Sequence, residues 1–176
     1  MIEVLRLSHR LRRDPRLSTH VALTARAFLA DKIYYSGQHD SSLEDSINKV
    51  TKEFGGNFKI EYITSSLKLI KEKKKENYLI IHLTVYGLKL KEVIKEIKKS
   101  KNILIIVGGE KVPIEIYKLS DYNISITSQP ISEVSALAIL LHEFNEKKEL
   151  DYDFKEAKIK IIPQERCKKI INRDKQ

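Results

Sequence analysis

The fold class of the chain is decided by residues 102–134, NILIIVGGEKVPIEIYKLSDYNISITSQPISEV. A strand predicted at 102–107 ends at two glycines. A second strand, predicted at 122–127, ends at a Gln-Pro turn that precedes a Ser-Glu helix start. A loop that only reverses the chain does not need small and polar residues at both strand ends. We therefore expect these two loops to do more than connect elements.

Short apolar strands alternate with helical segments along most of the sequence. We predict strands at 2–7, 32–35, 58–63, 78–83, 102–107 and 122–127, and helices at 19–30, 42–54, 65–75, 90–99 and 132–144. Regular alternation predicts an α/β fold, an open and mostly parallel sheet with helices on both faces. The near-continuous apolar strands at 79–83 and 103–107 are typical of the buried centre of such a sheet.

The chain has 176 residues, which is enough for one domain with a proper core. We place this domain at residues 1–145, because the alternating pattern weakens beyond it. Residues 146–176 are interpreted as a short extension that packs on the domain or on a second copy of the chain. Within it we predict one further strand and one further helix, in 155–176.

The cellular compartment follows from what the sequence lacks. No apolar run approaches the roughly 20 residues of a membrane-spanning helix, and no signal-peptide pattern opens the sequence. The single cysteine, Cys167, excludes an internal disulfide bond. A protein of the reducing cytoplasm is the simplest interpretation.

The net charge of the chain is +9, from 33 basic and 24 acidic residues. Such an excess favours a polyanionic partner, because contacts with phosphates release condensed counterions. Lysine- and glutamate-rich chains with few cysteines are also common in heat-adapted organisms. The lysine runs at 71–75 and 98–101 are interpreted as solvated helix ends, so the total charge alone decides little.

The placement of arginine is more informative than the total charge. Residues 6–16, RLSHRLRRDPR, concentrate arginines in a chain whose other basic residues are mostly lysine. Arginine binds phosphate through two parallel hydrogen bonds and stacks on bases, which lysine does not. We therefore predict contact with nucleic acid by Arg6, Arg10, Arg12, Arg13 and Arg16. The alternative is a disordered or ion-paired surface loop.

Three predicted strands end in loops that differ from ordinary connectors, at 82–87, 108–113 and 127–133. In parallel sheets, ligands bind beyond the carboxyl ends of the strands. Glycines in the first two loops let the backbone approach a ligand, Pro113 can open a helix, and Ser132 can cap the last one. Each feature alone indicates turn chemistry. All three at consecutive strand ends favour a ligand-binding site.

Other chemistries find little support in the sequence. The segment GGEKV lacks the spacing of a phosphate-binding P-loop, and no G-x-G-x-x-G opens a helix. No G-x-S-x-G turn is present, and Cys167 has no evident base nearby. The histidines show no metal-ligand spacing, so we expect no metal site. They are His9, His20, His39, His82 and His142.

The helix predicted at 19–30 carries one cation among small residues, Arg26. Val21, Ala25 and Phe28 form the buried stripe of this helix, and Arg26 falls on a neighbouring face. Taken alone, this pattern favours an arginine that extends to solvent along its aliphatic stem. The arginine-rich segment nearby favours a functional role.

Two long stretches resemble a known family: EVLRLSHRLRRDPRLSTHVALTARAF at 3–28, and HLTVYG with GGEKVPIEIYKLSDYNISITSQPISEVSALA between 82 and 138. They are similar to archaeal tRNA ribose methyltransferases that modify a T-loop cytidine, at position 56, within the SPOUT superfamily. The resemblance covers nearly all of residues 1–145. It implies an α/β fold with a carboxyl-terminal deep trefoil knot, S-adenosyl-L-methionine bound in that knot, tRNA as substrate, and a homodimer.

The resemblance also implies site residues, and it makes the two loops of the opening stretch the facing walls of one pocket. The cofactor-binding residues would be Leu83, Gly108, Gly109, Glu110, Lys111, Val112, Ile126, Thr127, Ser128, Gln129, Pro130, Ile131, Ser132 and Glu133. Arg26 would be catalytic, reaching toward the partner's pocket to orient the ribose hydroxyl. The RNA-binding residues would be Arg6, His9, Arg10, Arg12, Arg13, Arg16 and His20.

The chain departs from the family pattern at three positions. Ser128 and Ile131 stand where asparagine and histidine are common, and Leu29 stands where glycine is common. These changes keep the backbone walls of the pocket and remove polar side chains. Two other functions stay open at this point: an RNA-binding module of the same fold without catalysis, and an enzyme acting on a different small molecule.

Overall fold

The structure is a computed structural model that describes residues 1–12, 15–109 and 111–173. Strands β1 to β6 span Ile2–His9, Lys32–Gly37, Lys59–Ile63, Leu79–Lys89, Ile103–Val107 and Tyr122–Ser125. Helices α1 to α6 span Pro15–Ala27, Ser41–Phe54, Ser66–Lys75, Leu90–Ile97, Ile114–Leu119 and Glu133–Phe144. A 3-10 helix at Lys148–Asp151 precedes strands β7 (Ile159–Ile162) and β8 (Lys169–Asn172).

The main sheet has the strand order β3-β2-β1-β5-β4-β6, and every neighbouring pair is parallel. Helices α1, α2, α4 and α6 bury their apolar side chains against one face, and α3 and α5 against the other. The prediction of an open parallel sheet with helices on both faces is confirmed. Strand β5 is buried on both faces because its residues alternate between the two cores.

Two local signals position the elements around the carboxyl edge of the sheet. Ser132 caps α6 by accepting a hydrogen bond from the backbone N–H of Val134 at 3.2 Å, as predicted. Strand β4 is longer than predicted, because the chain leaves the ladder after Leu83 and rejoins β6 at Leu88. A Cβ on Gly87 would overlap the backbone of Ile124, so this close passage requires glycine.

The prediction of a helix in the extension is wrong. The structure has an antiparallel hairpin there, in which Ile159 pairs with Asn172 and Ile162 with Lys169. Both strands contain isoleucine pairs, and β-branched side chains favour strands over helices. Before the hairpin, the extension runs along the end of α2, where Lys158 N–H donates to the carbonyl oxygen of Glu53 at 2.9 Å.

Within the residues that the structure describes, none of the helices has the length and apolar character to cross a membrane.

Candidate active site

A cavity of about 380 Å³ lies at the carboxyl ends of β4, β5 and β6, where a parallel sheet is expected to bind its ligand. Its volume falls in the range of small-molecule sites, about 300–1,000 Å³. The walls come from the break in β4 after Leu83, from the loops after β5 and β6, from α5 and from the first turn of α6. The lining residues are His82, Leu83, Thr84, Val85, Tyr86, Val107, Gly108, Gly109, Val112, Tyr117, Ile124, Ile126, Thr127, Pro130, Ile131, Glu133 and Ala136.

Most of the predicted cofactor-binding residues line this cavity. They are Leu83, Gly108, Gly109, Val112, Ile126, Thr127, Pro130, Ile131 and Glu133. Lys111, Ser128, Gln129 and Ser132 belong to the same loops but not to the lining. Glu110 lies outside the described residues. The structure therefore brings the two predicted loops together as facing walls of one cavity.

The two glycines after β5 have different roles. A Cβ on Gly108 would overlap the side chain of Val112, so the backbone at this wall cannot carry a larger residue without shifting. A Cβ on Gly109 would meet its nearest neighbour, Arg6 Nη1, at an ordinary 3.8 Å. Gly108 is thus the glycine that the cavity wall requires.

Arg6 connects two residues of the cavity wall. Its side chain is 1% exposed, and Nη1 donates to the carbonyl oxygen of Gly108 at 2.7 Å. The same nitrogen lies 3.9 Å from the carboxylate of Glu133, at the start of α6. Arg6 in β1 therefore links the loop after β5 to the start of α6. Arg6 was predicted to contact RNA; the structure buries it, and the contact with RNA stays a prediction.

His9 is also buried, at 0% exposure, and its predicted contact with RNA likewise stays a prediction. Its ring nitrogens lie 2.8 Å from Ser18 Oγ and 3.2 Å from Asp40 Oδ2. Asp40 caps α2, so this network ties the start of α1 to the start of α2. The trio has the residue types of a hydrolase triad, but Ser18 is 1% exposed and cannot meet a substrate.

The remaining arginines of the segment lie nearer the surface. Arg12 and Arg16 are exposed, Arg10 is half-buried, and His20 is exposed on α1. Arg13 lies outside the described residues. The predicted RNA-binding set therefore divides into a buried pair that organises the fold and a group that solvent can reach.

The helix pattern alone favoured an Arg26 side chain that extends to solvent, and the structure shows that it is buried instead. Its side chain is 6% exposed, and Nη2 donates to the carbonyl oxygen of Gly55 at 2.6 Å. The guanidinium carbon lies 4.7 Å from the ring centroid of Phe154, in the extension. Burial lowers the pKa of Arg26 below its ordinary value. Arg26 is absent from the lining of the cavity of its own chain.

Sequence reasoning missed several polar side chains of the cavity. His82 is buried beneath it, with Nδ1 2.9 Å from Asn123 Oδ1 and its ring packed edge-on against Tyr117 at 4.6 Å. Burial lowers the pKa of His82, which favours the neutral imidazole. Tyr117 lies 3.2 Å from Thr84 Oγ1, across the cavity wall. A histidine that ends an apolar strand was the available signal for this cluster.

Tyr86 was also missed, and it stands at the rim of the cavity with 85% of its surface exposed. Within the described ranges, no three His, Cys, Asp or Glu side chains lie close enough together to hold a metal ion.

Comparison with known proteins gives a consistent result along the whole chain. A family model described as tRNA ribose 2′-O-methyltransferase, aTrm56, matches residues 54–171. A protein of Methanocaldococcus jannaschii named tRNA (cytidine(56)-2′-O)-methyltransferase is 50% identical over 179 aligned residues. That match covers 100% of this chain and 98% of the relative.

Two solved structures share the fold. The first is described as the A. aeolicus TrmH/SpoU tRNA modifying enzyme. It has a TM-score of 0.61 at 18% identity, covering 85% of this chain and 76% of that one. The second is the SpoU methyltransferase AviRb from Streptomyces viridochromogenes in complex with the cofactor AdoMet. It has a TM-score of 0.61 at 13% identity, covering 84% of this chain and 57% of that one. At these identities the likeness concerns the fold alone.

Proposed function

The chain belongs to the family of tRNA ribose 2′-O-methyltransferases described as aTrm56, and from this premise we propose that it methylates the 2′-hydroxyl of cytidine 56 in tRNA. We propose S-adenosyl-L-methionine as the methyl donor. The observation that carries the proposal is the cavity at the ends of β4, β5 and β6, in a chain that matches this family along its whole length.

The residues of the cavity fit S-adenosyl-L-methionine. Gly108 lies in the cavity wall at a position where a Cβ would overlap Val112, so the backbone itself forms the wall there. Leu83, Ile124 and Ile126 offer an apolar wall for a flat adenine ring. The carboxylate of Glu133 lies at the wall and can accept hydrogen bonds from a hydroxyl or an ammonium group.

When bound, the donor supplies a methyl group on a positively charged sulfonium, which is already activated for transfer. The protein then has to align the ribose hydroxyl, and alignment alone can contribute about 7–11 kcal/mol to such a reaction. Arg6 and Gly108 hold the walls of the cavity in place before the donor arrives, so little ordering free energy is lost on binding.

We assign the alignment of the ribose hydroxyl to Arg26. Its Nε has no hydrogen-bond partner among the described residues, so the guanidinium has a donor that its own chain does not use. Because Arg26 does not line its own cavity, the proposal places it at the cavity of a second copy, in a homodimer. Burial lowers its pKa, but an arginine remains charged near neutral pH, so its role is orientation.

We propose that tRNA contacts the exposed cations at the start of α1. Arg12, Arg16 and His20 are exposed there, and Arg10 is half-buried. Arginine suits this role because its guanidinium pairs with phosphate through two hydrogen bonds. The net charge of +9 adds a long-range attraction for a polyanion.

The proposal includes a knotted chain and a cytoplasmic site of action. The chain enters β6 from α5 on one face of the sheet and leaves it into α6 on the opposite face, against α1 and α4. This path is the one expected if the segment after β6 passes through the loop that leaves β4. The exposed Cys167 is compatible with the reducing cytoplasm, where tRNA is modified.

The test is to map the methylated nucleotide. Purified protein is incubated with labelled S-adenosyl-L-methionine and an unmodified archaeal tRNA transcript, and the label is located by nuclease digestion and mass spectrometry. We expect one methyl group, on the ribose of cytidine 56. A matched transcript carries 2′-deoxycytidine at this position and should accept no label. Label on a base, or equal label on the deoxy transcript, contradicts the proposal.

A further inference from the structure

The carboxyl-terminal extension reaches the one arginine to which the reaction is assigned. Phe154 lies in the extension, beyond the domain predicted at 1–145, and the Arg26 guanidinium carbon is 4.7 Å from the centroid of its ring. A buried cation over an aromatic face is attracted by the ring quadrupole, and the attraction strengthens when water is excluded. Arg26 is 6% exposed, which meets that condition.

Both contacts of Arg26 depend on one turn, Gly55–Gly56, at the end of α2. Arg26 donates to the carbonyl oxygen of Gly55 at 2.6 Å. The N–H of Gly56 donates to the carbonyl oxygen of Lys155 at 3.1 Å, directly after Phe154. The turn therefore fixes the arginine and the extension relative to each other.

The two glycines are required where the extension passes. Gly55 and Gly56 have φ values of 79° and 84°, which L-amino acids with side chains rarely adopt. A Cβ on Gly56 would lie 2.7 Å from Cδ1 of the Phe154 ring, and a Cβ on Gly55 would overlap the backbone of Lys155. Glycine at both positions thus leaves room for the Phe154 ring, which packs over Arg26.

These contacts leave the guanidinium held on two sides but not neutralised. The Gly55 carbonyl and the Phe154 ring are both uncharged, and no acidic side chain pairs with Arg26 among the described residues. Such an arrangement fixes the orientation of the group while its full charge stays available to a substrate oxygen. A carboxylate partner would fix it equally well but would cancel that charge.

We propose that Phe154 is a positioning residue, which holds the Arg26 guanidinium in the orientation needed for methyl transfer. The proposal rests on the function assigned above to Arg26. It makes the extension a working part of the active site, since the domain at 1–145 alone would leave one face of the arginine open. Phe154 itself touches neither substrate nor donor.

The test compares Phe154→Leu with Phe154→Tyr in full-length protein. Leucine keeps the apolar bulk and loses the aromatic face, whereas tyrosine keeps the face. We expect Phe154→Leu to lower kcat about tenfold, because small misplacements of aligned groups are costly. KM for tRNA and the Kd for S-adenosyl-L-methionine should stay unchanged, and Phe154→Tyr should restore kcat. The matched control is Phe144→Leu, which removes a half-buried ring on α6 that is not in the cation–π contact of Arg26.

A second readout does not depend on turnover. The Arg26 side-chain N–H signals in a nitrogen-15 NMR spectrum should be shifted by the ring current of Phe154. This shift should vanish in Phe154→Leu and persist in Phe154→Tyr and Phe144→Leu. The positioning role is overturned if Phe154→Leu turns over like wild type, or if Phe144→Leu lowers kcat as much. An Arg26→Ala protein that methylates normally overturns the assigned role of Arg26 itself, and so separates the two failures.

Discussion

Two buried arginines each donate to a glycine carbonyl, yet their surroundings differ. Arg6 donates to Gly108 and lies 3.9 Å from the carboxylate of Glu133. Arg26 donates to Gly55 and packs against the aromatic ring of Phe154, both of which are uncharged. A paired arginine joins two parts of a fold, whereas an arginine held by uncharged groups keeps its charge for a ligand. Arg6 therefore joins parts of the fold, whereas the proposed role of Arg26 is in the reaction.

The largest effect is expected at the unpaired arginine. Arg26→Ala should lower kcat by about 10²–10³-fold, the loss typical of removing one preorganised donor. The Kd for S-adenosyl-L-methionine should change little, because the walls of the cavity form without Arg26 and the arginine is assigned to the ribose hydroxyl and not to the donor. Single-turnover methylation and calorimetry measure the two quantities separately. Wild-type turnover by Arg26→Ala would show that Arg26, like Arg6, has no role in the reaction itself.

Substitution of Arg6 should instead affect stability and binding of the methyl donor. Arg6→Met removes the buried guanidinium and leaves the carbonyl oxygen of Gly108 without this hydrogen bond. The free energy of unfolding should therefore fall by about 2 kcal/mol. The affinity for S-adenosyl-L-methionine should fall, since the Gly108 and Glu133 walls lose their link. Affinity for tRNA at saturating donor should hold. Denaturant unfolding, calorimetry and filter binding test these three outcomes.

A loss of tRNA affinity in Arg6→Met, with donor binding intact, would instead support an RNA contact by Arg6.

The glycines above Arg6 provide a matched pair. Gly108→Ala places a Cβ into Val112 and should weaken binding of S-adenosyl-L-methionine about tenfold, a cost of about 1.4 kcal/mol. Gly109→Ala has ordinary space and should change the affinity little. Calorimetric titration of both variants is sufficient. Equal losses would show that the wall does not depend on the close approach of Gly108 to Val112.

The smallest effect concerns the turn that follows Arg26. Leu29 has a φ of 64°, and the N–H groups of Leu29 and Ala30 donate to the carbonyls of Arg26 and Ala25 at 3.2 and 2.9 Å. This is a Schellman motif, in which glycine is favoured at the position of Leu29. Leu29→Gly should therefore raise the free energy of unfolding by about 1 kcal/mol. The control Leu17→Gly, inside α1, should lower it by about the same amount.

If Leu29→Gly destabilises the protein, contacts of the half-buried leucine outweigh the relief of backbone strain.

Most of the sheet and its helices could be predicted from the sequence, because apolar periodicity and turn residues are local signals. The end of β4 could not, since residues 84–89 rejoin the ladder through a close contact between Gly87 and β6. The hairpin in the extension was missed because runs of four residues are too short for periodicity to separate strand from helix.

The residues of the candidate site also divide into those that local sequence signals predict and those that depend on distant contacts. The glycine loops were predictable, as backbone walls depend on residues close together in sequence. Arg6 and His9 were assigned to a loop that contacts RNA, whereas both lie in β1. Arg6 forms a hydrogen bond with a residue 102 positions away, which no local pattern reveals. His82 and Tyr117 were missed because they meet only after α5 packs on β4.

The central claim is that Arg26 serves the cavity of a partner subunit, and mixed dimers test it most directly. Arg26→Ala and Gly108→Leu are coexpressed with different tags, and the doubly tagged dimers are purified. Each variant alone should be inactive as a homodimer. A mixed dimer has one intact site, formed by the cavity of one chain and the arginine of the other, so it should recover about half of wild-type kcat. Mixed dimers as inactive as both parents would contradict the claim, because the intact arginine and the intact cavity would then be unable to work together from different chains.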